Sequence, residues 1–243
     1  MSAMLAVDNL QKRFGSLRAL DGVSLDVESG KLTGLIGPNG AGKTTAFGCI
    51  AGAMKPSGGR IFFQGREIGG MPYHRVARLG VVRTYQVVQT FAEMTVLEAV
   101  TVGALMRRPR LAEARAHAAE VIEFVGLARR REVLGKSLTI ADKKRLEVGR
   151  ALATDPALLL LDEVMAGLTP AEARSAVDLL RAILARGITI LMVEHVMEVL
   201  MPIADHVVVV SAGKTIFAGS AADAANDAAV VEAYLGPPVT DRS

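Results

Sequence analysis

The stretch GPNGAGKTT at residues 37–45 constrains the fold of this chain more than any other segment. It follows the apolar run LTGLI and satisfies the pattern G-x-x-x-x-G-K-[ST] at Gly37, Gly42, Lys43 and Thr44. Glycines let backbone N–H groups turn inward around an anion, and a helix that begins near Lys43 adds the positive end of its dipole. The pattern predicts a phosphate-binding loop in which Lys43 reaches the β- and γ-phosphates and the Thr44 hydroxyl binds Mg²⁺. A Gly-rich strand-to-helix turn without a ligand is the alternative.

An acidic pair follows a second apolar run, in the segment LLLLDE at residues 158–163. A phosphate loop needs a further acidic ligand for Mg²⁺ at the end of a neighbouring strand, and Asp162 stands where this strand would emerge. The next residue, Glu163, could polarise a water for in-line attack on the γ-phosphate, which is the role of a general base. The structural alternative is that the two carboxylates cap the start of a helix.

The apolar patterning predicts an α/β fold whose β-rich core is interrupted by helices. The first sixty residues predict strands, and residues 87–153 predict a helical block that includes the capping-box sequence Thr95 to Glu98. The run of leucines at residues 157–161 is typical of a fully buried parallel strand. A helix over 171–185 and a strand over 188–193 complete a β-α-β crossover. The other predicted elements are a helix over 44–53, strands over 60–64 and 80–86, helices over 95–106, 111–125 and 138–153, and a hairpin of strands over 207–211 and 214–218 that precedes an Ala-rich helix.

Composition narrows the protein class. The 243 residues are 51% hydrophobic and 22% charged, which is typical of one large globular domain. The longest apolar runs are far too short to span a bilayer, and the N-terminus lacks the features of a signal peptide, so we expect a cytoplasmic protein. The single cysteine, Cys49, is expected to be a small buried side chain. Basic clusters such as residues 143–145 could bind lipid or nucleic acid. Only 4% of the residues are aromatic, however, and none interleaves with these clusters, so we expect the clusters to lie on solvated helix faces and expect no nucleic-acid partner.

Taken together, GPNGAGKTT, the strand ending at Gln86, LLLLDE and His195 after the strand at 188–193 resemble the ATP-binding subunit of ABC transporters over nearly the whole chain. The resemblance implies a single domain over 1–243: a P-loop NTPase core of mainly parallel sheet, an antiparallel β subdomain and an inserted helical subdomain at about 87–153. It also implies an ATPase that converts ATP and water to ADP and phosphate, coupled to transport across a membrane.

The resemblance assigns roles residue by residue. Asp162 becomes the Mg²⁺ ligand of Walker B, Glu163 the catalytic base, and Gln86 the Q-loop residue that touches Mg²⁺ and the attacking water. His195 corresponds to the switch histidine at the γ-phosphate, and Phe14 resembles the aromatic residue that stacks on adenine. The nucleotide-binding Walker A loop comprises Gly37, Pro38, Asn39, Gly40, Ala41, Gly42, Lys43, Thr44 and Thr45.

Several short segments resemble one subgroup, the ATPases of branched-chain and hydrophobic amino acid importers. They are RTYQ at 83–86, MTVLE at 94–98, AGLTP at 166–170 and AYLG at 233–236. Within this subgroup two different ATPases usually form a pair, which implies a non-identical ATPase partner, with a homodimer as the alternative. Further implied partners are transmembrane permease subunits and, indirectly, a solute-binding protein. Phe91 and Met94 are candidates for the groove where the permease docks, with the core of the helical subdomain as their alternative role. The implied location is peripheral, on the inner face of the plasma membrane.

Two departures from the family pattern stand out. Thr139, Ile140, Ala141 and Asp142 occupy the place of the signature, whose glycines bring backbone N–H groups to the γ-phosphate held by the opposite subunit. Thr139 can cap the helix, but Asp142 puts a negative charge near a polyphosphate unless it faces away. The other departure is Val164, where a proline usually follows the catalytic glutamate. The altered signature predicts two unequal ATP sites in a dimer, with the site built on Lys43 and Glu163 the more active if the partner's signature is standard.

Two other functions remain open at this stage. One is a soluble ABC-type ATPase that acts on DNA or ribosomes without a transporter; such proteins usually carry two cassettes or a long coiled-coil insert, and this chain has neither. The other is a nucleotide-binding module that does not hydrolyse ATP. The altered signature prompts that alternative, while Lys43, Asp162, Glu163 and His195 argue against it.

Overall fold

Two β-sheets and a layer of helices make up the fold in the computed structural model, which describes residues 3–84, 92–194 and 197–235. The strands are β1 (Leu5–Phe14), β2 (Leu17–Val27), β3 (Leu32–Ile36), β4 (Gly58–Phe63), β5 (Arg66–Glu67), β6 (Val81–Arg83), β7 (Leu158–Asp162), β8 (Thr189–Val193), β9 (His206–Ser211) and β10 (Lys214–Gly219). The helices are α1 (Lys43–Ile50), α2 (Tyr73–Leu79), α3 (Val96–Ala104), α4 (Leu111–Phe124), α5 (Ile140–Leu152), α6 (Pro170–Ala185), α7 (Met197–Leu200), α8 (Ala221–Asn226) and α9 (Ala228–Leu235).

The central sheet has the strand order β10-β9-β3-β8-β7-β6. Its described pairs are parallel except the last hairpin, β9–β10, which is antiparallel. The smaller sheet has the order β2-β1-β4-β5 and is antiparallel throughout. These observations confirm the predicted α/β class with a mainly parallel sheet and an antiparallel β unit.

The four leucines of β7 divide between two hydrophobic cores. Leu158 and Leu160 pack into the core that the central sheet shares with the small sheet and α1, whereas Leu159 and Leu161 pack into the core on the helical face. Side chains alternate across a strand, so a strand that is buried on both faces is apolar at every position. The strand begins at Leu158 and not at residue 157, and it extends to Asp162, so this acidic residue ends the strand as the sequence predicts.

The helical face is built from α3, α4, α5 and α6. The predicted capping box at Thr95 is confirmed: its hydroxyl accepts from Glu98 N at 3.2 Å, and the Glu98 carboxylate accepts from Thr95 N at 2.8 Å. The helices α3 to α5 lie within residues 87–153, where the sequence predicts a helical subdomain, although its boundaries stay a prediction. None of the helices in the described ranges is both long and apolar enough to span a membrane.

Several predicted boundaries were wrong by a few residues. Helix α1 ends at Ile50 and not at residue 53, since Gly52 turns the chain with a φ of 77°. The predicted Ala-rich C-terminal helix is two helices, α8 and α9, because Asp227 adopts an extended backbone between them and its carboxylate accepts from Val230 N. Helix α3 ends at Ala104 rather than 106, and the strand predicted over 80–86 begins at Val81; its end near Gln86 lies outside the described residues.

Candidate active site

The phosphate loop connects β3, an inner strand of the central sheet, to α1. Gly37 has a φ of 148°, and a Cβ at this position would lie 1.9 Å from Val210 O of β9. Gly42, which precedes the first residue of α1, has a φ of 106°, and a Cβ there would lie 2.7 Å from Ala19 O. Neighbouring backbone therefore excludes any side chain at the two outer glycines of the motif.

Lys43 is the first residue of α1 and is 6% exposed. Its ammonium donates to Gly37 O at 2.7 Å and to Pro38 O at 2.9 Å, so the side chain folds back over the loop. Burial lowers the pKa of Lys43, while the carboxylates of Glu163 and Asp162 act in the opposite direction. The lysine therefore interacts electrostatically with both acidic residues at the end of β7, which lie more than a hundred residues away in sequence.

An open cleft of about 520 Å³ surrounds this loop. The loop residues from Asn39 to Thr45 line it, with Glu163 on one side and Phe14 on another. Thr44 is exposed, so its hydroxyl is accessible to a ligand, and Phe14 is 47% exposed with Lys12 Nζ 4.9 Å from its ring centroid. The cleft thus combines backbone donors, a lysine, a hydroxyl, a carboxylate and an accessible aromatic face.

Asp162 is almost fully buried at the end of β7. Its Oδ2 accepts from Arg83 Nη2 at 2.5 Å, and the side chains of Arg83 and Asp162 are 9% and 3% exposed. Its Oδ1 is buried without a hydrogen-bond partner in the described part of the chain. A carboxylate oxygen without a partner and, in the phosphate loop, an exposed threonine hydroxyl are both ligand types that Mg²⁺ accepts.

Nothing in the described ranges brings three His, Cys, Asp or Glu side chains together as a metal cluster. Mg²⁺ is usually held by one or two protein oxygens together with substrate phosphates, so Thr44 and Asp162 fit such an ion when a nucleotide is present.

Glu163 adopts a left-handed backbone with a φ of 49°. Its N–H donates to Val193 O at 2.9 Å, and its carbonyl oxygen accepts from Lys144 Nζ at 2.7 Å. Met165, in the same loop, donates from its N–H to the buried carboxylate of Glu194, which follows β8, at 2.7 Å. Glu163 does not cap a helix; it lines the cleft, as expected of a residue that acts on a bound phosphate.

The altered signature lies away from the cleft of its own chain. Thr139 caps α5 by accepting from Asp142 N at 3.1 Å, and Ile140 is 60% exposed. The carboxylate of Asp142 is 22% exposed and forms an ion pair with Arg130, whose Nε lies 3.7 Å away. Thr139, Ile140, Ala141 and Asp142 do not meet the phosphate loop within one chain.

Three assigned residues, Gln86, His195 and Phe91, lie outside the described residues. Other residues that the sequence did not reveal do join the site. Arg83 and Lys144 bind Asp162 and the Glu163 carbonyl, respectively. Burial raises the pKa of Tyr234 of α9, while the backbone of Gly37 acts in the opposite direction. No local pattern signals these contacts, because each joins residues that lie far apart in sequence.

Comparison with known proteins places this geometry in a family. The sequence model of the family described as "ABC transporter" matches residues 20–166. The chain is 39% identical to the high-affinity branched-chain amino acid transport ATP-binding protein LivG of Salmonella typhimurium, across 96% of this chain and 98% of that protein. It is equally identical, over the same shares, to BraF of Pseudomonas aeruginosa, which carries the same description.

Solved structures agree with the sequence comparison. The fold superposes with a TM-score of 0.90 on a nucleotide-free ATP-binding cassette from an ABC transporter, at 31% identity over 97% of this chain and all of that one. An ATP-binding cassette in its ADP conformation gives a TM-score of 0.89, also at 31% identity, over 98% of this chain and all of that one. The resemblance inferred from the sequence motifs is thereby confirmed, as is the P-loop NTPase fold. The chain belongs to the ABC transporter family and is one of its ATPase subunits.

Proposed function

We propose that the chain binds and hydrolyses ATP to power an importer of branched-chain or other hydrophobic amino acids. The observation that carries the proposal is that Lys43 and Glu163 line one cleft around the phosphate loop, while Lys43 interacts electrostatically with both Glu163 and Asp162. The amino acid substrate is supported by the relatives, which are described as branched-chain amino acid transport proteins and match nearly the whole chain.

ATP binding begins with the exchange of contacts at Lys43. Its ammonium leaves the carbonyls of Gly37 and Pro38 and takes the β- and γ-phosphates, while the loop N–H groups and the start of α1 stabilise the remaining charge. Phe14 stacks on the adenine from the rim of the cleft, where its ring is accessible. Thr44 and Asp162 would hold Mg²⁺ when a nucleotide is bound, and the ion would supply positive charge beside the phosphates.

Hydrolysis requires a base, and Glu163 supplies it. Its carboxylate accepts a proton from the attacking water as the water oxygen bonds to the γ-phosphorus and the bond to ADP breaks. Gln86 orients that water and His195 contacts the γ-phosphate, by resemblance. Lys43 stays bound to the phosphates throughout, so its positive charge stabilises the negative charge that develops on the leaving group.

The active unit is a dimer with a second ATPase subunit, bound to transmembrane permease subunits at the inner face of the plasma membrane. The position of Thr139 to Asp142 outside the chain's own cleft supports a role toward a partner's nucleotide. We further propose that this turn serves the partner's ATP poorly, so that the two ATP sites are unequal. Inactivating the Walker B glutamate of each subunit in turn tests this, and equal residual hydrolysis in the two mixed dimers would refute it.

The alternative of a soluble ATPase acting on DNA or ribosomes receives no support from the relatives, which are transport proteins. The alternative of a module that does not hydrolyse ATP conflicts with the intact set at Lys43, Asp162 and Glu163. A phosphate-release assay on the full chain decides between hydrolysis and binding alone.

The central test is Glu163→Gln, which keeps the size of the side chain but removes its basicity. We expect turnover to fall at least about a hundredfold, as general-base catalysis contributes that much or more, while ATP still binds and holds the dimer together. Turnover equal to wild type would refute the role of Glu163. Uptake of labelled leucine by vesicles that contain the co-purified complex tests the substrate, and ATP-independent uptake or no uptake contradicts it.

A further inference from the structure

A side chain of helix α5 contacts the loop that contains the proposed base, Glu163. Lys144, in the second turn of α5, donates from Nζ to the main-chain oxygen of Glu163 at 2.7 Å. An ammonium that donates to a carbonyl forms a charge-assisted bond, which is shorter and stronger than a neutral one. The contact is made to the backbone, so it does not use the carboxylate of Glu163.

The backbone of Glu163 needs such support. A φ of 49° places it in the left-handed region, which a residue with a side chain adopts only when its surroundings hold it there. Two strong bonds do so from opposite sides of the residue: the N–H donates to Val193 O at 2.9 Å, and the carbonyl accepts from Lys144. A third, longer bond comes from Ala166 N at 3.3 Å.

The backbone conformation decides where the carboxylate points. The direction of the Cα–Cβ bond follows from φ and ψ, and the left-handed conformation directs the Glu163 side chain toward the cleft that it lines with the phosphate loop. Catalytic groups lose efficiency steeply when displaced by about 1 Å, so a bond that fixes this residue affects the chemical step more than substrate binding.

We propose that Lys144 is a positioning residue for ATP hydrolysis, which holds the backbone of Glu163 in the conformation that aims its carboxylate at the attacking water. The inference rests on the proposed role of Glu163 as the base. Because Lys144 lies on the helix that begins with the altered signature, the same bond ties that turn to the chain's own catalytic loop.

The test compares Lys144→Met with Lys143→Met in the full-length chain. Lys144 lines a small cavity together with Val164 and Met165. Methionine keeps the length and the apolar stem of lysine there, but it cannot donate a hydrogen bond to the Glu163 carbonyl. Lys143→Met removes the same charge from the same helix turn, and no bond from Lys143 to Glu163 occurs in the described residues. We expect Lys144→Met to lower kcat about tenfold or more, which is the scale of one lost charge-assisted bond, while the Kd for a fluorescent ATP analogue stays within about twofold.

Two further variants separate positioning from a general loss of stability. Lys144→Arg retains a cationic donor and should recover most of the kcat, and Lys144→Met in the Glu163→Gln background should lower turnover no further, because the base is already absent. Equal losses in Lys144→Met and Lys143→Met, or wild-type kcat in Lys144→Met, would overturn the inference. If Glu163→Gln alone retains full turnover, the proposed base fails; if it is inactive and Lys144→Met is normal, only the positioning role fails.

Discussion

The buried ion pair between Arg83 and Asp162 gives the sharpest prediction about stability. Replacing Arg83 by methionine keeps much of the side-chain volume but removes the cation that faces Asp162 Oδ2 at 2.5 Å. The other carboxylate oxygen already has no partner in the described part of the chain. The variant therefore leaves a carboxylate that is 3% exposed without its cation.

The magnitude follows from this burial. Removing one partner of a buried pair costs about 3–5 kcal/mol, because the remaining charge cannot be resolvated. The guanidinium carbon of Arg83 also lies 5.8 Å from the centroid of the Phe47 ring, a contact that is lost in the same variant. By contrast, Arg18 pairs with Asp21 at 3.3 Å with side chains 56% and 30% exposed, so Arg18→Met should cost less than about 1 kcal/mol.

Urea unfolding at pH 7 in the presence of EDTA measures both variants under the same conditions. Since Arg83 makes other contacts as well, a double-mutant cycle with Asp162→Asn isolates the pair. The double variant should be more stable than Arg83→Met alone, because it no longer buries an uncompensated anion. A cost for Arg83→Met that matches that of Arg18→Met, or a coupling energy near zero, would refute the reasoning.

Three further predictions concern the loop, the thiol and a helix start. Gly37→Ala should abolish ATP binding in a nucleotide titration, because its Cβ would lie 1.9 Å from a carbonyl oxygen. Gly40→Ala has no atom within 4 Å of its Cβ and should only weaken binding, through the strain of a φ of 79°. Equal affinities of the two variants would contradict this. Burial raises the pKa of Cys49 to about 11, so Ellman's reagent should modify it at pH 8 only after unfolding, and rapid labelling of the native protein would contradict this. Thr169→Ala should cost about 1 kcal/mol at pH 7 by thermal unfolding. Hydrogen bonds from the Thr169 backbone and side chain lower the pKa of Glu172 below its ordinary value of 4.5. Their contribution to stability is therefore present above pH 4.5 and is lost as the pH falls through the lower pKa of the folded state. The difference in stability between wild type and variant should narrow in acid, and a difference that widens there would contradict the assignment.

Local sequence signals predicted the parts of the site that are built locally. The phosphate loop is one continuous segment, and the capping box at Thr95 spans four residues, so their patterns are visible without the fold. The unbroken leucine run identified a strand buried on both faces, because each face has its own core. Such features follow from short-range chemistry and periodicity.

The contacts that hold the acidic residues were not predictable in this way. Arg83 meets Asp162 across 79 residues, and Lys144 meets the Glu163 carbonyl from another helix, so both depend on how β6, β7 and α5 pack. The split of the C-terminal helix was missed because alanine-rich sequence outweighed the single Asp227. Tertiary packing determines these contacts and this helix boundary, and the periodicity of a single sequence contains no signal for tertiary packing.

The place of β3 in the sheet has a consequence for synthesis of the chain. This strand pairs with β8 and β9, and Gly213 N donates to Ala41 O of the phosphate loop at 3.0 Å. A ribosome adds about 5–20 residues per second, so these partners emerge on the order of ten seconds after the loop itself. During that interval the nascent segment has no neighbouring strands to fix it, and cellular ATP cannot act as a folding template. Nucleotide can stabilise the assembled loop only once the chain has been translated through Gly213.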